Sequence, residues 1–452
     1  MVKVITYGTY DLLHSGHLRL LERAKALGDY LIVGVTADDF DRRRGKLNVQ
    51  QSLMERLENV KATGLADKVI VEEYEGQKID DIKRYGADIF TVGSDWEGKF
   101  DYLNKYCRVI YLPRTEGISS TDIRMENSRL RLGIKGHARL ARKYAKESAF
   151  VNGLEISSLL LVGDKESSEK DNNRLQGENH LLVNDYDSLL ANCEAVYIIS
   201  NPHDHYDDIR KALLTGHHVI CEAPLTLSNQ EYSEVAKLAA SKGLIMMDGL
   251  KTAYATAYNR LLLLIQSGRI GKVVSVDAVC TSLNEMLDLS MPASDKWESL
   301  SDWGPTALLP VFQILGTGYS DREIVSFSNQ ENQWNAFTKI DFIYPEAVAS
   351  IKVGKGIKSE GSMVISGTQG YIYVPAPWWK TDYFEMRFEN PAENKRYFYQ
   401  LEGEGIRFLL LSFLRKVKGN ARGEYLESNV SRQIVEIMDD YYQKKDFFDI
   451  AL

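Results

Sequence analysis

Tyr7-Gly8-Thr9-Tyr10-Asp11-Leu12-Leu13-His14-Ser15-Gly16-His17 is the stretch on which the reading of this chain turns. It follows Val4-Ile5-Thr6, an apolar run that reads as a buried strand, and it leads into residues 18–25, whose apolar spacing reads as a helix. With a helix starting near Ser15, His14 and His17 sit at or just before its first turn, with Gly16 between them. A helix start offers unpaired N–H groups and the positive end of the helix dipole, which suits phosphate. Gly16 lets a phosphate approach the backbone with no Cβ in the way. Two histidines alone are ordinarily structural. Strand, HxGH and helix in succession form a much narrower pattern and point to a nucleotide site.

Around this stretch the chain alternates strand and helix patterns. Residues 30–36, 68–71, 89–93 and 109–112 read as strands, and 57–65 and 78–85 as helices. Continuous apolar strands with intervening helices indicate an α/β unit whose parallel sheet is covered on both faces. Ligands of such sheets bind beyond the carboxyl ends of the strands, at a switch point. Three further polar clusters follow strands. One is Ser94-Asp95-Trp96-Glu97-Gly98-Lys99-Phe100-Asp101. Another is Arg114-Thr115-Glu116-Gly117-Ile118-Ser119-Ser120-Thr121, where Ser119 or Ser120 suits a helix N-cap or a phosphate. The third, Arg42-Arg43-Arg44-Gly45-Lys46 with Arg56 beyond it, would by itself be a solvated charge run; beside a phosphate site, Lys46 becomes a candidate phosphate ligand.

Together these residues resemble glycerol-3-phosphate cytidylyltransferase, a small member of the HxGH nucleotidyltransferase superfamily, across residues 1–128. HxGH alone leaves adenylyltransferases open; the WEGKFD and RTEGIS stretches point to the cytidylyl branch. One departure is a one-residue length difference between Lys46 and Arg56. The resemblance implies attack by a small polyol phosphate, glycerol 3-phosphate foremost, on the α-phosphorus of CTP, with release of pyrophosphate. It implies that His14, His17, Lys46 and Arg114 carry the transfer. Thr9, Tyr10, Gly16, Asp95, Trp96, Thr115, Ser119 and Ser120 are implied to hold the nucleotide. Asp11 would orient the loop or a Mg²⁺ ion accompanying CTP.

A second unit begins after residue 128. Leu130-Arg131-Leu132-Gly133-Ile134 reads as a strand, and Gly136-His137-Ala138-Arg139-Leu140-Ala141 opens a helix where a dinucleotide fingerprint would lie. Ala141 is tolerated at the third glycine position, whereas Ala138 puts a methyl near the pyrophosphate. A following strand ends at Asp164, about where a ribose ligand is expected. With Ala195-Val196-Tyr197-Ile198-Ile199-Ser200-Asn201-Pro202 and Val219-Ile220-Cys221-Glu222-Ala223-Pro224, this unit is similar to the Gfo/Idh/MocA oxidoreductases, which act on sugars or polyols with NAD(P). The resemblance implies a Rossmann-like domain over 129–250, with Gly136, Ala138, Asp164, Asn201 and Glu222 toward the cofactor. It also implies an α+β domain with a largely antiparallel sheet over 251–452, the terminal helices packing back. Ala223 stands where that family has a lysine, and Thr306 where it often has a histidine. Lys251 or Tyr254 could supply the missing proton donor. Three readings follow: a bifunctional enzyme that reduces a keto-sugar phosphate and then activates the polyol, a transferase with a degenerate oxidoreductase unit, or one with a non-catalytic scaffold.

At about 150 residues per domain, the 452-residue length agrees with some three folding units. A formal charge of −8 gives no support to nucleic-acid or anionic-membrane binding. The four cysteines are scattered without a CxxC pair, against a zinc site or a disulfide framework. No apolar run approaches a membrane span and no signal-peptide layout opens the chain, so the expectation is a cytoplasmic protein, a homodimer by analogy with both families.

Overall fold

The computed structural model describes residues 1–11, 13, 15–37, 51–74, 76–113, 129–151, 153–162, 181–283, 298–329, 334–399, 403–419 and 425–451. The chain divides into two compact units, Met1–Ser128 and Arg129–Leu452.

In the first unit the described elements run β1 (Lys3–Gly8), α1 (Ser15–Lys25), β2 (Tyr30–Thr36), α2 (Leu53–Ala62), β3 (Lys68–Glu72), α3 (Gln77–Tyr85), β4 (Ile89–Gly93) and β5 (Arg108–Leu112). The five strands form one parallel sheet in the order β3-β2-β1-β4-β5. Alternation along each strand sends Val4, Leu31 and Val33 to one core and Ile5, Tyr7, Ile32 and Phe90 to the other, so both faces are covered. The order reverses between β1 and β4, which puts the switch point at the end of β1, where the HxGH stretch begins. The helix expected over 57–65 starts earlier, at Leu53. Ser52 caps it, its hydroxyl accepting from the Glu55 N–H while the Glu55 carboxylate accepts from the Ser52 N–H.

The second unit opens with β6 (Leu130–His137), α4 (Ala138–Ser148), β7 (Leu154–Val162), β8 (Leu181–Val183), α5 (Tyr186–Ala191), β9 (Ala195–Ile199), α6 (His205–Leu214), β10 (His218–Cys221), α7 (Asn229–Lys242) and β11 (Met246–Asp248). Its six strands are parallel in the order β11-β10-β9-β6-β7-β8, a doubly wound sheet with its switch point between β6 and β9. Then come α8 (Thr256–Gln266), β12 (Val273–Ser282), α9 (Ser299–Leu315), β13 (Asp321–Asn329), β14 (Trp334–Ile343), β15 (Val348–Lys355), β16 (Met363–Gly367), β17 (Tyr371–Val374), β18 (Tyr383–Arg387) and β19 (Lys395–Phe398). The chain ends with α10 (Ile406–Val417), α11 (Ser428–Tyr442) and β20 (Phe447–Ala451). A nine-stranded sheet, β19-β18-β17-β16-β12-β15-β14-β13-β20, is antiparallel except at the β12–β15 and β13–β20 pairs. One apolar core runs from Leu132 and Ile134 of the parallel sheet through Leu308 of α9 to Leu409 and Ile434 of the last helices, joining the two sheets into one unit.

Candidate functional sites

The end of β1 is bent by Tyr10, whose φ of 52° lies in the left-handed region. The Tyr10 ring turns back over Gly8, where a Cβ would come within 3.0 Å of it. The ring is buried and meets the His17 imidazole edge-on, with centroids 5.5 Å apart. The Tyr10 ring thus supports the His17 imidazole from within the core of the first unit. α1 starts at Ser15, which sets Gly16 and His17 in its first turn. Asp11 accepts the Gln51 N–H at 2.9 Å, which ties the HxGH loop to the segment leading into α2. The wholly buried Arg56 guanidinium donates to the carbonyls of Thr9 (2.7 Å), Thr36 (2.8 Å) and Gln51 (3.1 Å). It brackets the loop between the ends of β1 and β2.

Beside this bracket lies a cleft lined by Tyr7, Thr9, Thr36, Glu72, Lys78 and Trp96, among others. Sequence reasoning missed most of its polar lining. Lys78, on the first turn of α3, is paired with the buried Glu72 carboxylate, and its ammonium lies 4.7 Å from the centre of the Tyr7 ring. The Thr36 hydroxyl donates to Glu72 at 3.0 Å, and the Tyr7 hydroxyl donates to Asp81 at 2.9 Å. Burial first, then the Asp81 carboxylate, pushes the Tyr7 hydroxyl far above the usual phenol range, so it stays a donor. The available signal was a charged residue opening a helix just after a strand of a parallel sheet. Thr9 and Trp96, both named from the sequence, line this cleft. Asp95 lies in the short 3₁₀ turn Ser94–Trp96 that follows β4. His14, Lys46, Arg114, Thr115, Ser119 and Ser120 lie outside the described residues. Among the described residues no group of three or more His, Cys, Asp or Glu side chains is arranged to hold a metal ion. No helix among them is long and apolar enough to cross a membrane.

In the second unit, Gly136 packs against β9, where a Cβ would sit 2.7 Å from the Ile199 carbonyl oxygen. The eleven-residue α4 begins at Ala138 and carries no side-chain cap, which leaves its first N–H groups to another acceptor. That fits a dinucleotide pyrophosphate, with the Ala138 methyl the departure noted above. Asn201, expected toward the cofactor, uses its side chain to cap the next turn, accepting the His203 N–H at 3.1 Å. Glu222 accepts hydrogen bonds from the Tyr144 and Tyr197 hydroxyls. Asp164 is outside the described residues. Thr306 lies on α9, one turn after Asp302, whose carboxylate holds the buried Lys355 ammonium at 3.0 Å. Lys251 is ion-paired with Glu404, and the Tyr254 ring is buried against Tyr425.

Comparison with known proteins places the two units in different groups. Residues 5–126 match the family model described as cytidylyltransferase-like, which defines the first unit as a nucleotidyltransferase fold. The glycerol-3-phosphate cytidylyltransferase of Bacillus spizizenii is 51% identical over 130 residues, 29% of this chain and 100% of that protein. That of Staphylococcus aureus is 49% identical over 130 residues, 28% of this chain and 95% of that protein. Through its first unit the chain belongs to the glycerol-3-phosphate cytidylyltransferase family. Residues 130–250 match the model described as an oxidoreductase family with an NAD-binding Rossmann fold. The crystal structure of KijD10, a 3-ketoreductase from Actinomadura kijaniata in complex with NADP and TDP-benzene, shares the fold of the second unit. Its TM-score is 0.62 at 17% identity, covering 72% of this chain and 100% of that one. The UDP-N-acetylglucosamine 3-dehydrogenase GnnA from Acidithiobacillus ferrooxidans has a TM-score of 0.56 at 17% identity, over 69% and 95% of the two chains.

Proposed function

We propose that the first unit transfers CMP from CTP to a small polyol phosphate, glycerol 3-phosphate foremost, giving the CDP-polyol and pyrophosphate. The observation that carries this reading is identity of about half over the whole length of glycerol-3-phosphate cytidylyltransferases. His17, held at the start of α1 by Tyr10, donates to the triphosphate, with His14 beside it in sequence. Lys46 and Arg114 neutralise phosphate charge, and Thr9, Gly16, Thr115, Ser119 and Ser120 hold phosphate oxygens. Trp96 and Asp95 select the base. No covalent enzyme intermediate is required; the protein positions the reactants and stabilises charge. Lys78 presents a buried cation to the cleft, suited to the acceptor's phosphate. A Mg²⁺ ion would arrive with the triphosphate, with Asp11 the carboxylate closest to the motif in sequence. Lys78→Ala should raise the KM for the polyol phosphate at least tenfold with little change in the KM for CTP; equal effects on both would remove Lys78 from the acceptor site.

For the second unit we propose binding of NAD(P) at the β6–α4 junction, Gly136 and Ala138 under the pyrophosphate and Asp164 toward a ribose. The bound dinucleotide would supply hydride exchange with a polyol or keto-sugar phosphate. Ala223 and Thr306 leave proton transfer without its usual groups, so this unit is a weakened dehydrogenase or a binding scaffold for the transferase. NADH fluorescence titration separates the two from a unit without a cofactor: saturable binding supports the proposal, and an unchanged spectrum ends it. The chain is proposed to act as a homodimer in the reducing cytoplasm, consistent with four free cysteines.

A further inference from the structure

Three lysines of the second unit converge on one carboxylate. Lys143 of α4 hydrogen-bonds Glu404. Lys380, at the end of the 3₁₀ turn Trp378–Lys380, lies 3.1 Å from it, and Lys251, opening the 3₁₀ turn Lys251–Tyr254, lies 3.9 Å away. All four groups are only partly exposed, and the sum of charges is +2. Burial, and then the neighbouring Lys251 ammonium, pull Lys143 below the usual lysine range, against the opposing pull of Glu404.

The chain is bent sharply to present this carboxylate. Glu404 has φ 51°, between Gly403 at 59° and Gly405 at 85°. A Cβ on Gly405 would lie 2.4 Å from the Lys251 carbonyl oxygen, so the close approach requires glycine. Three successive left-handed residues are unusual backbone, and a glutamate among them is strained. The position is also informative. Lys251 lies just past β11, and Tyr144, next to Lys143, donates to Glu222 just past β10. This is the carboxyl edge of the parallel sheet, where ligands of such folds bind. The Thr252 hydroxyl reaches the Trp379 carbonyl at 3.4 Å, and Trp379 stacks edge-on against Trp303 with centroids 4.9 Å apart. The Trp303 indole N–H is buried with no hydrogen-bond partner among the described residues.

We propose that Lys143, Lys251 and Lys380 form a binding site for the phosphate group of a phosphorylated polyol or keto-polyol, in which the Glu404 carboxylate keeps the anion's place. This rests on the reading of the second unit as one that handles such phosphates. A phosphate offers three acceptor oxygens and up to two negative charges, which match three ammoniums better than one carboxylate does. Entry of the ligand displaces Glu404 and lets its backbone leave the left-handed conformation.

The test is calorimetric titration of the full chain with dihydroxyacetone phosphate, with dihydroxyacetone as the phosphate-free control. Glu404→Gln, which removes the competing charge, should tighten binding on the order of tenfold. Lys251→Ala combined with Lys380→Ala should weaken it by at least as much, and the Lys380→Ala single change, at the exposed rim, should act in the same direction. Phosphate binding by the first unit is common to all these chains and cancels in the comparison. A Glu404→Gln chain that binds no tighter while melting at a lower temperature would overturn the proposal, since that is the signature of a merely structural ion cluster. NADH titration of the same chains reads the cofactor reading independently: a failure there with the phosphate heats intact leaves the anion site standing without the dehydrogenase.

Discussion

His17 and Asp248 show how differently single residues in the two units respond to their surroundings. His17 is oriented by a buried aromatic edge and placed in the first turn of α1. His17→Ala should lower kcat for transfer by a factor on the order of hundreds, about 3 kcal/mol, as for loss of one transition-state donor. Near-normal steady-state turnover of that variant would contradict its role. Asp248, at the end of β11, is pushed up to about 7 by burial and, to a lesser degree, by the neighbouring Glu222; its bonds from Ser431 and the Leu250 N–H pull the other way. Its folded-state value lies above the unfolded one, so between roughly pH 4 and 7 the folded chain holds a proton that the unfolded chain releases. Stability should therefore fall as pH rises through that window, and Asp248→Asn should flatten the slope in urea melts at stepped pH. Asp248 could not be singled out from the sequence, because its burial comes from α7 and α11, which lie close only in the folded chain. The helix start that carries Gly16 and His17 was legible from the apolar spacing that follows them. The packing of the buried Tyr10 ring on His17 was not, since it depends on the left-handed turn at Tyr10.

At the scale of elements, the parallel strands were legible from apolar runs, and every strand expected in the first unit is present. Boundaries moved where a local signal was passed over: Ser52-Leu53-Met54-Glu55 is a capping box, and it starts α2 four residues before the expected position. α9 was hidden by Pro305 and Pro310, which ordinarily stop a helix. Burial of Leu300, Leu308, Leu309 and Phe312 against the mixed sheet holds it together. The helical pattern at the C-terminus is broken into α10 and α11, and Asp446-Phe447-Phe448 leads into the edge strand β20. β1 and β2 are coupled by a close fit: a Cβ on Gly34 would lie 2.2 Å from the Tyr7 ring across the pair. Gly34→Ala should cost about 1–3 kcal/mol in chemical denaturation and tilt the Tyr7 ring in the cleft. An unchanged denaturation midpoint would mean the ring can move aside freely.

At the scale of the whole molecule, a transferase-like unit precedes in sequence an oxidoreductase-like unit with its own core. Strand–helix alternation restarts after residue 128, and the division into two compact units falls there. The union of the parallel and mixed sheets of the second unit through one core was not legible in the sequence, since it depends on packing between distant segments. Fold leaves function open, and the departures at Ala223 and Thr306 keep the second activity a separate question. Transfer of CMP by the first unit is tested by steady-state pyrophosphate release by the full chain with glycerol 3-phosphate and either CTP or ATP. Turnover with CTP should exceed that with ATP by at least a hundredfold, together with formation of CDP-glycerol. Equal or greater turnover with ATP, or none with CTP and any polyol phosphate, would contradict it.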